Sequence, residues 1–201
     1  MSALETFDVV VVGGGPAGAT VATDLARRGR SVMLLDKAGR IKPCGGAIPP
    51  RLIRDFDIPD SLLCAKITSA RMISPKGVAV DMPIGNGVVG MVDRDVFDEF
   101  LRARAARSGA DRRTGTFAVI ERDEQGVAIV HYRDKSGADI AVRARVVVGA
   151  DGANSAVARQ AVPNRGKGKF VFAYHEIVEA PAKTKEAYCG TRCDVYYDGS
   201  M

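Results

Sequence analysis

Gly13, Gly15 and Gly18 form a G-x-G-x-x-G pattern directly behind four consecutive valines, Val9-Val10-Val11-Val12, and a helix-like stretch follows them. The spacing is suited to gripping a pyrophosphate. The first glycine permits a tight turn, the second lets backbone approach the phosphates, and the third lets the helix pack on the strand. Pro16 falls where a first-turn proline is tolerated, because that position has no intrahelical hydrogen bond to lose, and Ala17 comes next in the helix. Amides at that helix end would face the anion. Beyond a second apolar run, 31–35, stands Asp36, followed by Lys37. A carboxylate at the end of a second strand can accept hydrogen bonds from both ribose hydroxyls of an ADP group. The bland alternative is a surface loop acid after an ordinary βα turn. Strand, glycines, helix, strand and acid nevertheless stand in register, and together they predict an ADP-containing dinucleotide site.

Two further clusters carry groups able to do chemistry. Gly149-Ala150-Asp151-Gly152 follows a valine run at 146–148. A short carboxylate there stands outside the carboxyl edge of a sheet, where it could accept from a ribityl hydroxyl or a nicotinamide-side group. As structure alone Asp151-Gly152 would be an ordinary turn, and spacing does not choose between the two. The irregular stretch 37–50 holds Pro43-Cys44-Gly45-Gly46-Ala47, a thiol beside two glycines whose backbone can press on a flat ligand. Connectors of that length inside compact domains usually carry function.

The elements that must hold these groups follow from apolar spacing. The valine run predicts a buried parallel strand covered on both faces. Residues 17–28 predict a helix, with Val21 and Leu25 on one face and Gly29 ending it. Strands are expected at 66–74 and 78–82, joined by the turn-type Ser74-Pro75-Lys76-Gly77, and at 88–92. Asp93 is placed to cap a helix with a core-facing stripe of Val96, Phe97, Phe100 and Leu101, ended at Gly109. Three strands, 116–122, 127–133 and 139–148, predict a meander whose last member rejoins the parallel sheet. Residues 170–178 and 195–197 are aromatic and β-rich; they are expected to open a second sheet, reached through a basic linker at 164–169, with a hairpin under way at the end.

Composition narrows the class. With 46% hydrophobic residues in 201, the chain can bury a substantial core. Its net charge of +5 is spread along the sequence, which suits an anionic cofactor or an anionic membrane surface and does not require nucleic acid. Arg102, Arg104, Arg107, Arg112 and Arg113 read as the solvated side and end of one helix, with few aromatics interleaved as nucleic-acid stacking would need. Cys44, Cys64, Cys189 and Cys193 give neither a disulfide framework nor metal-ligand spacing, so no metal is expected. Residues 1–8 lack a basic leader, and no apolar run approaches the ~18 residues of a membrane span. The cytoplasm is the expected location.

Gly13 to Gly18, Asp36, Asp93-Arg94 and Gly149-Ala150-Asp151-Gly152 together resemble the flavoprotein monooxygenase-like superfamily. Within it, Lys42-Pro43-Cys44-Gly45-Gly46-Ala47-Ile48-Pro49 and Met91-Val92-Asp93-Arg94-Asp95 resemble the geranylgeranyl reductase family, in its chlorophyll and bacteriochlorophyll branch. The resemblance implies an α/β fold: a Rossmann-like FAD-binding domain with a β-meander crossover over 1–162, then the beginning of a truncated β-rich substrate domain over 163–201. It implies that Gly13, Gly15, Pro16, Ala17 and Gly18 cradle the FAD pyrophosphate and that Asp36 holds the adenosine ribose, with Lys37 also among the cofactor-binding residues. Cys44, Gly45 and Gly46 would border the isoalloxazine, Arg94 the phosphate or ribityl region, backbone near Val119 the adenine, and Asp151 and Gly152 the second cluster. No catalytic residue is assigned beyond Cys44's place beside the flavin. The implied reaction takes hydride from NADPH through FAD to geranylgeranyl double bonds, on the free diphosphate or on a chlorophyll or bacteriochlorophyll ester, leaving phytyl. Peripheral contact with a photosynthetic membrane is compatible with such a substrate. Family members continue for about as long again, through a Trp-containing segment and a later Gly-Asp motif; this sequence has no Trp, so it is expected to be a front half. The alternatives are an FAD- and NADPH-dependent hydroxylase and a non-catalytic FAD-binding fragment.

Overall fold

The computed structural model describes residues 4–38, 44–85, 87–163, 173–181 and 188–197. The chain divides into two compact units, one of Met1–Ile41 with Asp98–Phe170, the other of Lys42–Phe97 with Val171–Met201. The expected division at 162 is therefore not the one the contacts make, because the middle of the chain is grouped with its end.

In the first unit the valine run forms β1 (Thr6–Val12), followed by α1 (Pro16–Arg27) and β2 (Val32–Asp36). β1 is central: it pairs in parallel with β2 on one side and with β10 (Asp139–Gly149) on the other. Val10 and Val11 are fully buried, which is why a strand covered on both faces needs no polar alternation. The meander is built from β8 (Asp111–Arg122), β9 (Ala128–Asp134) and β10. Its two outer strands each serve twice. β8 runs parallel to β2 over Asp111 to Thr114 and then antiparallel to β9 from Gly115; β10 runs antiparallel to β9 up to Ala144 and parallel to β1 from Thr6's partner Arg143. The ladder therefore closes in the order β1-β10-β9-β8-β2. Its core is Phe7, Val10, Val12, Met33, Leu35, Val130, Tyr132 and Val142, sealed by Val157 of α4 (Ala156–Ala161).

Three expectations change here. β8 begins at Asp111, five residues before the expected 116, so Arg112 and Arg113 are strand residues and not the end of a helix. Their apolar stems pack while their heads are paired: Arg112 grips Glu99 through both arms, at 2.6 and 2.8 Å, and Arg113 reaches Glu5 and Asp111 with its guanidinium 5.2 Å above the Phe7 ring. α3 (Arg94–Arg107) buries Phe97, Leu101 and Ala105, a strict four-residue row, whereas Val96 lies one position off that row and is 55% exposed.

The second unit contains β3 (Ala47–Ile48), α2 (Pro50–Asp55), a 3-10 turn at Asp60–Leu62, β4 (Leu63–Ile67), β5 (Ser69–Ile73), β6 (Ala79–Pro83), β7 (Val89–Val92) and β11 (Arg192–Tyr196). They make two three-stranded sheets, β3-β7-β4 and β11-β5-β6. The single strand expected at 66–74 is broken at Thr68, whose amide donates to Thr191 O at 2.8 Å and sends β4 and β5 into different sheets. Val195 and Tyr196 do lie on a strand, but β11 pairs in parallel with β5. The expected linker at 164–169, Phe170, Phe172 and the residues from 198 onward lie outside the described residues. Of the expected strand at 170–178, the described part, from 173, makes no ladder, and Tyr174 is 85% exposed. Aromatic and β-branched residues favour a strand only where a neighbouring strand receives their backbone groups. Among the described residues no helix is long and apolar enough to cross a membrane.

Candidate cofactor site

The three motif glycines do different work. Gly13 sits at φ +107°, and a Cβ there would collide with the carbonyl of Ala150 and lie 2.8 Å from Asp151 N. A Cβ on Gly18 would strike the carbonyl oxygen of Gly13. These two positions close the turn on itself and against Ala150, the residue after β10, whose amide donates to Val12 O at 2.7 Å. Gly15 differs: a Cβ there would meet nothing within 4 Å, so the chain itself does not demand glycine. The open space lies at the start of α1, which has Pro16 in its first turn, no side-chain cap and no acidic residue there. Uncapped amides beside a glycine facing empty space fit an anion that presses on the backbone.

Asp36 closes β2 beside that turn. Its Oδ1 accepts from the Gly14 amide at 3.2 Å, and its Oδ2 lies 3.4 Å from Arg102 Nη1. Arg102 also donates to Gly14 O at 3.2 Å and to Glu99 at 3.2 Å. Both side chains of the pair are mostly buried, at 17% exposure for Asp36 and 18% for Arg102. The Arg112 guanidinium, with Arg102 behind it, holds the Glu99 carboxyl below its ordinary range. Sequence reasoning missed Arg102 and placed it on a solvated helix face. The available signal was Gly14: a Cβ there would stand 2.7 Å from Asp36 Cγ and 3.0 Å from Arg102 Cδ, which makes a glycine at a free motif position meaningful. Lys37 is exposed beside the acid.

Asp151 is brought to the same strand ends, yet its carboxylate is turned to α4. It accepts from Ser155 Oγ at 2.5 Å and from the amides of Ala156 and Val157 at 2.6 and 3.3 Å. Burial pushes the acid up, but these donors outweigh it and leave Asp151 below the usual carboxylate value. Gly152 follows at φ +86°. Val119 lies at a bulge in β8, where Gln160 of α4 accepts from Ile120 N at 2.9 Å and donates to Ala118 O at 3.0 Å. The outward backbone groups on either side of Val119 are thus already paired.

Cys44, Gly45, Gly46 and Arg94 belong to the second unit. Gly46, at φ +73°, lies so close to Val92 that a Cβ would collide with its carbonyl oxygen; Val92 N donates to Gly46 O at 2.9 Å. Gly46 N also donates to the exposed Cys44 thiol at 3.5 Å, while a Cβ on Gly45 would meet nothing within 4 Å. Arg94 is the first residue of α3.

A glycine turn at an uncapped helix end, a carboxylate closing the second parallel strand and a meander returning to a parallel sheet define a flavin-dinucleotide-binding domain. The chain belongs to the FAD binding domain family, which matches residues 67–196, and residues 8–47 match the family of FAD dependent oxidoreductases. More narrowly, it is a homologue of geranylgeranyl diphosphate reductases. It is 64% identical to the geranylgeranyl diphosphate reductase of Rhodobacter capsulatus over 196 residues, which are 97% of this chain and 49% of the relative. It is 39% identical to the chloroplastic geranylgeranyl diphosphate reductase of Oryza sativa subsp. japonica, over 94% of this chain and 43% of that protein. The crystal structure of a geranylgeranyl bacteriochlorophyll reductase-like protein from Thermoplasma acidophilum superposes with a TM-score of 0.66 at 29% identity, covering 75% of this chain and 40% of that one. The chain thus spans about half the length of the curated relatives it matches. The expected α/β flavoprotein fold and the expected family are both found.

Proposed function

We propose that the chain serves the NADPH-dependent reduction of isoprenoid double bonds, taking a geranylgeranyl group, as diphosphate or as chlorophyll or bacteriochlorophyll ester, toward phytyl. The observation that carries this reading is the 64% identity to a geranylgeranyl diphosphate reductase across a segment that includes the glycine turn, Asp36, Cys44-Gly45-Gly46 and Arg94. When bound, FAD supplies hydride chemistry that no side chain possesses. The chain's own residues bind and orient. Gly15 and the α1 amides receive the pyrophosphate, Asp36 accepts from the adenosine ribose, and Gly13 and Gly18 hold the turn in shape. Cys44, Gly45, Gly46 and Arg94 are assigned to the flavin side, and backbone near Val119 to the adenine. Asp151, with Gly152, keeps the end of β10 fixed to α4 and so supports the turn from below. An isoprenoid substrate residing in a membrane would be met peripherally.

The test is anaerobic incubation of the purified chain with FAD, NADPH and geranylgeranyl diphosphate, followed by mass spectrometry of the isoprenoid. Gain of hydrogen in pairs, with matching loss of NADPH, is the expected result. Gain of an oxygen atom that requires air would overturn the reading in favour of a hydroxylase, and FAD binding without NADPH oxidation would leave a binding fragment.

A further inference from the structure

Arg102 is remote in sequence from the glycine turn, yet it touches both parts of the cradle. Its Nη1 donates to Gly14 O at 3.2 Å and stands 3.4 Å from Asp36 Oδ2, while the Gly14 amide donates to Asp36 Oδ1 at 3.2 Å. The contacts close a ring from Arg102 to the Gly14 carbonyl, from the Gly14 amide to Asp36, and from Asp36 back to Arg102. Glu99 aims the arginine from behind and is itself gripped by Arg112. The glycine at position 14 is a second, independent sign of this packing, because any side chain there would run into Asp36 and the Arg102 stem.

We propose that Arg102 is a positioning residue for the adenosine half of FAD. It fixes the Asp36 carboxylate and the Gly14 peptide together, so that the ribose acceptor and the phosphate-facing turn are set before the cofactor arrives. The inference rests on the reading that Asp36 accepts from the ribose. A carboxylate offers about four lone-pair sites, so the Gly14 amide and Arg102 leave room for two hydroxyls. Groups already held in their bound geometry lose less freedom on binding. A planar guanidinium can serve a carboxylate and a carbonyl at once, which an ammonium does with poorer geometry.

The experiment uses Arg102→Met and Arg102→Lys in the full chain, titrated calorimetrically with FAD and with ADP, with thermal unfolding measured alongside. ADP carries the adenosine and the pyrophosphate without the flavin. Arg102→Met is expected to weaken both ligands by the same factor, about tenfold, equivalent to a single well-placed charged contact. Arg102→Lys should recover part of that loss. In an Asp36→Asn background the methionine substitution should weaken binding by less than about threefold, since the group it positions is already altered. Folded Arg102→Met protein that binds both ligands as the parent does would overturn the proposal while leaving the ribose reading intact. Unchanged affinity in Asp36→Asn alone would instead sink the ribose reading on which it rests. Should Arg102→Met fail to fold, Glu99→Gln, which removes only the charge that aims the arginine, is expected to weaken FAD and ADP equally; an unchanged affinity there overturns the proposal too.

Discussion

Asp151 Oδ1 accepts a hydrogen bond from Ser155 Oγ at 2.5 Å, and Ser155 Oγ in turn accepts from the Ala158 amide at 2.8 Å. With the amides of Ala156 and Val157 on Asp151 Oδ2, the pair satisfies the first turn of α4 and ties it to the end of β10. An acid that the motif places among cofactor contacts is therefore engaged in capping. Asp151→Asn removes the charge and turns one acceptor oxygen into a donor that faces the Ser155 hydroxyl or the Ala156 and Val157 amides. Stability should therefore fall by about 1–2 kcal/mol, while FAD affinity should shift by less than about threefold. Thermal unfolding and a flavin titration of the same protein check both halves; a large loss of affinity with unchanged stability would return Asp151 to the cofactor.

The same contacts set a pH dependence. The fold holds Asp151 below its ordinary carboxylate value, so the folded state favours the ionised acid. Its contribution is complete above the pH where the unfolded acid titrates and fades as the pH falls through the lower folded value. Denaturant midpoints of the parent and Asp151→Asn should therefore differ at neutral pH and converge in acid. A gap that widened on acidification would contradict the capping arrangement.

Gln160 bridges α4 to β8 through both ends of its amide, taking Ile120 N and giving to Ala118 O. Among the described residues no strand pairs with this side of the bulged edge, and Gln160 takes that place. Gln160→Leu keeps the size but leaves two backbone groups to find water, and a loss of about 1–2 kcal/mol is expected. Hydrogen exchange should localise the effect, with the Ile120 amide exchanging much faster and the buried β1 amides unchanged.

The parts of the fold legible in the sequence are those written in unbroken apolar runs. The valines of β1, the Val32–Leu35 stretch of β2, the alternating Ala128, Val130 and Tyr132 of β9 and Val142 and Ala144 of β10 bury as their patterns demand, whereas Val146, in the later valine run of β10, is 52% exposed. The start of β8 was not legible, because Arg112 and Arg113 carry the strand there with charged heads paired to Glu99, Glu5 and Asp111. Local pattern reads such arginines as solvent-facing; only the fold supplies their partners. Arg102 was hidden for the same reason, its partners Gly14 and Asp36 being brought to it by the parallel pairing of β1, β2 and β8. The break at Thr68 depends on Thr191, more than a hundred positions away, and no window of neighbouring residues contains that information.

The unequal roles of the motif glycines give the sharpest separation of folding from binding. Gly15→Val adds a side chain into open space, so the protein should unfold at nearly the parent temperature. Its side chain would stand where phosphates must approach the backbone, and FAD affinity should fall by about two orders of magnitude. Gly18→Ala should do the opposite in kind: its methyl would strike the Gly13 carbonyl, α1 must shift, and stability should drop by about 2–4 kcal/mol. Gly13→Ala combines a collision at Ala150 with a φ of +107° that L side chains avoid, and should be at least as damaging. Circular dichroism melts and flavin fluorescence titrations on the three variants distinguish these outcomes. Retained yellow colour in purified Gly15→Val protein would mean that the pyrophosphate is held elsewhere.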